Sequence, residues 1–212
     1  MSFESMKLFF ALAAIAANVI TFALIVIGIA GRGKDESPFE FLRGVTLWLA
    51  GGVALAASVG SLYLSEIANL IPCKLCWYQR IAMYPLAIIL PIAAWRRDNG
   101  IRFYAGVLAL IGLAIAMWHR TLQLFPSLEG GSCAAVGPPC SAPLIREFGF
   151  VTIPYMAISA FVLILVLLWA DHVNNLRSVP SSNYLTQRLQ RDQRTEGRQW
   201  LTHHHQRELR QA

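Results

Sequence analysis

Five long apolar blocks, separated by shorter polar stretches, set the pattern of this chain. The first, Lys7 to Ala30, carries no charge after Lys7, and its ~24 residues exceed the ~20 that a helix needs to cross a bilayer. It is too long for the apolar core of a signal peptide and lacks a strongly basic start and a clear cleavage site, so it reads as a span. Val45 to Ile71 follows, where Gly51, Gly52, Ala54, Ala56, Ala57 and Gly60 are small enough to let helices approach closely. The third block, Gln79 to Trp95, holds Pro85 and Pro91, which membrane helices tolerate with a kink. Ile101 to Trp118 and Pro154 to Ala170 complete the set. The polar stretches are Gly31–Gly44, the short turn Arg96–Gly100, the long Gly-, Pro- and Ser-rich loop His119–Ile153, and a tail from Asp171 to Ala212. The pattern predicts an all-α integral membrane protein, one compact helical bundle followed by a polar tail.

Composition supports this reading. Hydrophobic residues make up 56% of the chain and charged ones only 14%, where a soluble domain averages about 25% charged. A net charge of +6 would suit nucleic acid, but the basic residues lie where membrane topology places them, so no nucleic-acid partner is expected. Arg32, Lys34, Arg43, Arg96, Arg97, Arg102 and seven arginines of the tail fall on one side of the spans. Lys7, Lys74, Arg80, Arg120 and Arg146 fall on the other. The richer side is expected to be cytoplasmic, which puts the N-terminus outside and the tail inside.

All four cysteines, Cys73, Cys76, Cys133 and Cys140, then face the outer, oxidising side, where disulfides form and persist. Cys73-Lys-Leu-Cys76 precedes a helix-like run. A helix start offers unpaired N–H groups and the positive end of its dipole, which favour a thiolate over a thiol. Cys133 and Cys140 bracket a loop with one glycine and two prolines, open to a partner protein. Two pairs on one surface permit thiol–disulfide exchange in series. Exchange moves an oxidising equivalent without creating it, so a terminal acceptor is needed, and a lipid-soluble one can reach the site through the membrane. Spacing alone leaves three readings open: two structural disulfides, a four-cysteine zinc site and a redox relay.

The residues around these cysteines resemble a known family. Cys73-x-x-Cys76-Trp77-Tyr78-Gln79-Arg80, continuing to Met83-Tyr84-Pro85-Leu86, looks like the signature of the DsbB/BdbC disulfide bond formation proteins. His119-Arg120-Thr121-Leu122-Gln123 resembles that family's H-x-x-L-Q motif, and Phe148 to Pro154 its entrance to the last span. The short spacing of Cys133 and Cys140 is closer to the BdbC branch. The resemblance covers about Val45 to Ala170. It implies a four-helix transmembrane bundle (45–170), here with one extra N-terminal transmembrane helix and its loop (1–44) and a basic cytoplasmic tail (171–212).

The resemblance also implies an activity. The protein would reoxidise an extracytoplasmic DsbA-like, thioredoxin-fold thiol oxidase and pass the electrons to a membrane quinone, ubiquinone or menaquinone, in a bacterial cytoplasmic membrane. Cys73 and Cys76 would face the quinone, with Cys76 as the thiolate near its ring. Cys133 would form the mixed disulfide with the partner, and Cys140 would be its loop mate and pair transiently with Cys73. Arg80 would steady the quinone or the thiolate, and His119 would assist proton uptake by the quinone. No metal is expected. The alternative is a structural membrane protein with two static disulfides.

The remaining features have plainer readings. Glu66 reads as an interface residue, with pairing to Lys74 or Arg80 or a proton relay as the other options. Trp77, Tyr78, Tyr84, Trp118 and Phe125 read as an interfacial aromatic belt. His203, His204 and His205 read as part of a solvated tail. Leu144–Phe150 reads as a short amphipathic piece on the membrane, with Leu144, Ile145, Phe148 and Phe150 towards lipid.

Overall fold

The computed structural model describes residues 3–31, 39–42, 44–98, 100–130, 133, 138–177, 190, 191 and 193. The histidines at 203–205 and most of the tail lie outside them. The chain forms two compact units, Met1–Asn174 and Asn175–Ala212. Everything that follows concerns the first.

Five helices are long and apolar enough to cross a membrane. They are α1 (Phe3–Ala30), α2 (Thr46–Leu62), α3 (Lys74–Arg96), α4 (Ile101–Leu124) and α5 (Ile153–Arg177). Large apolar side chains cover their outer faces: Trp95 is 81% exposed, Phe103 73% and Phe22 71%. Surfaces of this kind are stable against lipid chains and not against water.

Several helix boundaries differ from the pattern of apolar blocks. The helix α4 continues to Leu124 and so takes in His119 from the expected loop. The helix α5 continues to Arg177 and takes in Asp171 from the expected tail. The two ends around Cys73 shift as well. The helix α2 ends in a π-turn at Tyr63–Ile67, and Asn69 sits in the left-handed region at φ 53°, so the chain leaves the helix before Ile71. The helix α3 begins at Lys74, five residues before the apolar block. Pro72 precedes it, and extended Cys73 (ψ 169°) serves as its N-cap. The polar residues Lys74, Gln79 and Arg80 hid this first turn and a half from a reading of hydropathy.

The core lies among α2, α3, α4 and α5. Leu86 and Leu90 of α3, Phe161 and Ile164 of α5 and Ala50 and Ala54 of α2 are buried there. Small residues set the helix separations. A Cβ on Gly112 of α4 would lie 2.3 Å from the Phe161 ring, so only glycine lets α4 approach α5 there. Away from the cysteines, Asp171 of α5 is held from two sides. The Thr46 hydroxyl donates to it at 2.5 Å and Arg102 Nη1 lies 2.7 Å from Oδ2.

The helix α1 packs on this bundle through specific contacts. Asn18 Nδ2 donates to Tyr155 Oη and Ser159 Oγ, both at 3.0 Å. Lys7 forms an ion pair with Glu147 at 3.4 Å. Gly28 receives the Trp169 ring, which would lie 2.4 Å from a Cβ there.

The segment Leu144–Phe150 corrects the expectation made for it. Arg146–Glu147 and Val151–Thr152 pair as a small antiparallel hairpin, turned by Phe148 and Gly149 at positive φ. Leu144, Phe148 and Phe150 are exposed, but Ile145 is only 4% exposed and points inward with Val151. Strand alternation sends neighbouring side chains to opposite faces, so one lipid-facing surface cannot hold all four apolar residues.

Candidate functional site

One end of the bundle gathers all four cysteines. Cys73, Cys76, Cys133 and Cys140 are buried together with Leu122, under Leu75, and all four are free thiols. Cys73 caps α3 and Cys76 lies in its first turn. The rise of a helix turn therefore brings their sulfurs together, 3.1 Å apart. Cys140 interacts with Cys133 and with Cys73, and it accepts a hydrogen bond from the Leu75 backbone N–H at the start of α3. The sulfurs thus run in the order Cys133, Cys140, Cys73, Cys76.

His119 of α4 is 2% exposed and sits behind Cys73. Its Nε2 is 3.1 Å from the Cys140 carbonyl oxygen and 3.6 Å from Cys73 Sγ. Gln79 Nε2 lies 3.0 Å from its Nδ1. The carbonyl can only accept, so Nε2 carries the proton, and Nδ1 accepts from the Gln79 amide. This places a hydrogen-bond donor against Cys73.

Glu129, a residue that the sequence reading did not single out, closes the second loop. Its carboxylate accepts from Cys140 N (2.6 Å), from Ser141 N (3.3 Å) and from the Ser141 hydroxyl. The Ser141 hydroxyl and the two backbone N–H groups hold the carboxyl below its ordinary range. Burial, the hydrogen bond shared with Cys140 and the nearby Glu129 charge push the Cys133 thiol up to about 12. Burial also raises Cys140. The only signal for Glu129 in the chain was an acidic residue four positions before Cys133 in a loop otherwise poor in charge.

Arg80 is 8% exposed, one helical turn beyond Cys76. Ser61 of α2 holds it, its hydroxyl accepting from Nε at 2.9 Å and its carbonyl from Nη2 at 2.8 Å. The guanidinium also lies over Trp77, 5.1 Å from the ring centroid, a favourable cation–π distance. Glu66, by contrast, is exposed and accepts from Ser65 Oγ at 3.0 Å.

Cys76 and Arg80 open onto a cavity of about 490 Å³ between α1, α2, α3 and α5. Its walls are almost wholly apolar, including Ala57, Gly60, Met83 and Ala160. Tyr84 lines it too, which removes this residue from the interfacial belt. Its hydroxyl is shut off from solvent and has no hydrogen-bond partner among the described residues. A buried hydroxyl left unpaired costs about 1–3 kcal/mol, so this atom suits a ligand that accepts a hydrogen bond. His119 does not line the cavity; it stands against the Cys73 side of the pair.

Two groupings carry metal-ligand donor types, Cys73 with Cys76 and His119, and Glu129 with Cys133 and Cys140, each with its donor atoms within 4.8 Å of one another. Each offers three donors, one short of a closed structural zinc site.

These features define a class: a multi-pass helical membrane protein built around two neighbouring cysteine pairs at one end of its bundle. Comparison with known proteins narrows it. The family model described as "Disulfide bond formation protein DsbB" matches residues 43–171, and the chain belongs to that family. Disulfide bond formation protein C of Bacillus subtilis is 47% identical over 124 residues, 58% of this chain and 90% of that protein. The probable disulfide formation protein C of Halalkalibacterium halodurans is 45% identical over 119 residues, 56% of this chain and 85% of its own length. A probable disulfide formation protein of Coxiella burnetii is 38% identical over 123 residues, 58% and 84% of the two chains. No solved structure gives a significant match.

Proposed function

We propose that the protein is a quinone-linked thiol oxidase that reoxidises a thioredoxin-fold partner on the extracytoplasmic face and so supports disulfide formation in exported proteins. The continuous run of sulfurs from Cys133 through Cys140 and Cys73 to Cys76, ending at an apolar cavity beside Arg80, carries this reading.

In the resting oxidised form, Cys133–Cys140 and Cys73–Cys76 are both disulfides. A partner thiolate attacks Cys133, forming a mixed disulfide and releasing the Cys140 thiolate. Cys140 attacks its neighbour Cys73, forming Cys140–Cys73 and releasing the Cys76 thiolate beside Arg80. The partner's second thiol displaces Cys133, and the partner leaves oxidised. Cys133 then attacks Cys140, restoring the loop disulfide and leaving a Cys73/Cys76 dithiol. Each step exchanges one S–S bond for another; the sum moves two electrons and two protons from partner to inner pair.

Arg80 stabilises negative charge on Cys76, and the His119 Nε2–H stabilises Cys73 whenever it leaves as a thiolate. The cavity's size falls within the range of small-molecule sites. Its apolar walls, the cation at Cys76 and the unpaired Tyr84 hydroxyl fit a quinone ring and tail. A quinone bound there supplies the two-electron, two-proton acceptor that the dithiol needs. Arg96, Arg97 and Arg102 at the other end of the bundle support a cysteine end that faces outward.

The test is turnover of the purified protein with a quinone and a reduced thioredoxin-fold donor, beside Cys76→Ser and Cys133→Ser. Quinone reduction that requires both cysteines supports the relay. Donor oxidation retained in Cys76→Ser, or cysteines that never turn over in the wild type, overturns it in favour of static disulfides.

A further inference from the structure

The family match begins at residue 43, so α1 lies wholly outside it. Yet α1 supplies one whole wall of the cavity that reaches Cys76 and Arg80. Phe10, Ala13, Ala17 and Ile20 line it from this side. From Phe10 to Ile20 the helix rises about 15 Å, so the cavity is a slot along α1, with Ser61, Cys76, Gln79 and Arg80 among its lining at the cysteine end. Phe10 is seated against Gly60 of α2, 2.7 Å from where a Cβ would stand, and its ring centroid is 6.4 Å from that of Tyr63. The ion pair of Lys7 with Glu147 and the hydrogen bonds of Asn18 to Tyr155 and Ser159 hold α1 in this register.

Alanines therefore make the α1 wall thin along the slot, and Phe10 stands against Gly60, next to the Ser61 that holds Arg80. A flat ring fits at the Cys76 end, beside the Arg80 guanidinium. A slender hydrocarbon tail fits along the alanines. We propose that α1 is the specificity wall of the quinone slot, with Phe10 limiting ring size and Ala13 and Ala17 admitting the first part of the isoprenoid tail. This inference rests on the quinone-linked reading above.

The experiment uses the full-length purified protein with a reduced thioredoxin-fold donor and four acceptors: a benzoquinone and a naphthoquinone, each with and without a short isoprenoid tail. Ala13→Phe and Ala17→Phe are expected to raise KM for the tailed quinones about tenfold or more. Their kcat and their quinone-free mixed-disulfide formation at Cys133 stay at the wild-type level. Val19→Phe, on an exposed part of α1 outside the slot, leaves KM unchanged. Phe10→Ala lowers the KM of the naphthoquinone relative to the benzoquinone.

Unchanged quinone KM in the two alanine variants and an unchanged ratio in Phe10→Ala overturn the inference. So does displacement of a co-purifying phospholipid by Ala17→Phe with quinone KM unaltered, since the occupant is then a lipid chain. If the alanine variants also lose exchange with the donor, they have misfolded, and the ratio in Phe10→Ala decides. Wild-type protein that exchanges with the donor but reduces none of the four acceptors defeats the quinone-linked reading itself, a result distinct from the others.

Discussion

Nε2 of His119 lies 3.6 Å from the Cys73 sulfur, and the opposite ring nitrogen is fixed at 3.0 Å by the amide of Gln79. The imidazole therefore faces the inner sulfur pair with a donor whose orientation two other groups determine. Replacing His119 by Phe is expected to lower donor-driven turnover by about a hundredfold, the scale of losing one preorganised donor to a developing anion. Mixed-disulfide formation at Cys133 persists, because that step precedes the release of Cys73. Gln79→Leu frees the tautomer and produces a smaller loss. Stopped-flow measurement of the separate exchange steps checks both variants, and an equal slowing of all steps would contradict this placement.

The contact of Cys140 with Cys73 predicts which species accumulates when the inner pair cannot close. In Cys76→Ser, Cys73 has no partner on its own helix and Cys140 is its neighbouring sulfur. The expected product under oxidising conditions is a Cys73–Cys140 disulfide with Cys133 free. Alkylation of unfolded protein after acid quenching, followed by peptide mapping, identifies it. A Cys133–Cys140 disulfide as the dominant form would show that the two sulfurs do not exchange.

Cys133 raised to about 12 makes a pH prediction. A raised thiol pKa lowers the thiolate fraction at every pH below it, and the thiolate is the reacting form. In the fully reduced protein, the alkylation rate of Cys133 should climb about tenfold per pH unit and show no plateau by pH 10, whereas an ordinary cysteine levels off near 8.5. Glu129→Gln removes a negative charge that contributes to the rise, so alkylation at pH 8 is faster in this variant. A slower rate there would mean that the carboxylate acts through the loop backbone instead.

At the far end of the bundle, Asp171→Ala removes the acceptor shared by Thr46 and Arg102. Breaking a largely buried pair from one side costs about 3 kcal/mol or more. The expected result is a lower midpoint of thermal unfolding in detergent, with quinone KM unaffected in the protein that remains folded. Thr46→Val should cost less, on the order of 1 kcal/mol, because it removes a single hydrogen bond.

Much of this architecture was legible in the sequence because lipid imposes a coarse rule. Each span must be apolar for about 20 residues, and all five apolar blocks are helices. The cysteine pairs were legible for a different reason: their spacing and flanking residues form a motif. Helix ends were less so. Lys74, Gln79 and Arg80 sit in the first turns of α3, where a polar residue at a helix start looks like loop to any hydropathy reading. The partners of Arg80 and His119, namely Ser61 and the Cys140 carbonyl, depend on how α2, α3 and α4 align, and no single segment encodes that alignment. The place of α1 was hidden in the same way, since the fit of Phe10 into Gly60 joins residues fifty positions apart in two spans.

The tie of Thr46, Arg102 and Asp171 stands at the end of the bundle opposite the sulfurs. There, three helices share one carboxylate. At the cysteine end the ties are several and separate: Arg80 of α3 to Ser61 of α2, Gln79 of α3 to His119 of α4, the small hairpin, the loop bonds of Glu129 and the ion pair of Lys7. One end of the bundle thus hangs on a single shared group, and the other on many independent ones. Loss of any one bond at the cysteine end leaves its neighbours in place, whereas loss of the Asp171 carboxylate unties Thr46 and Arg102 together.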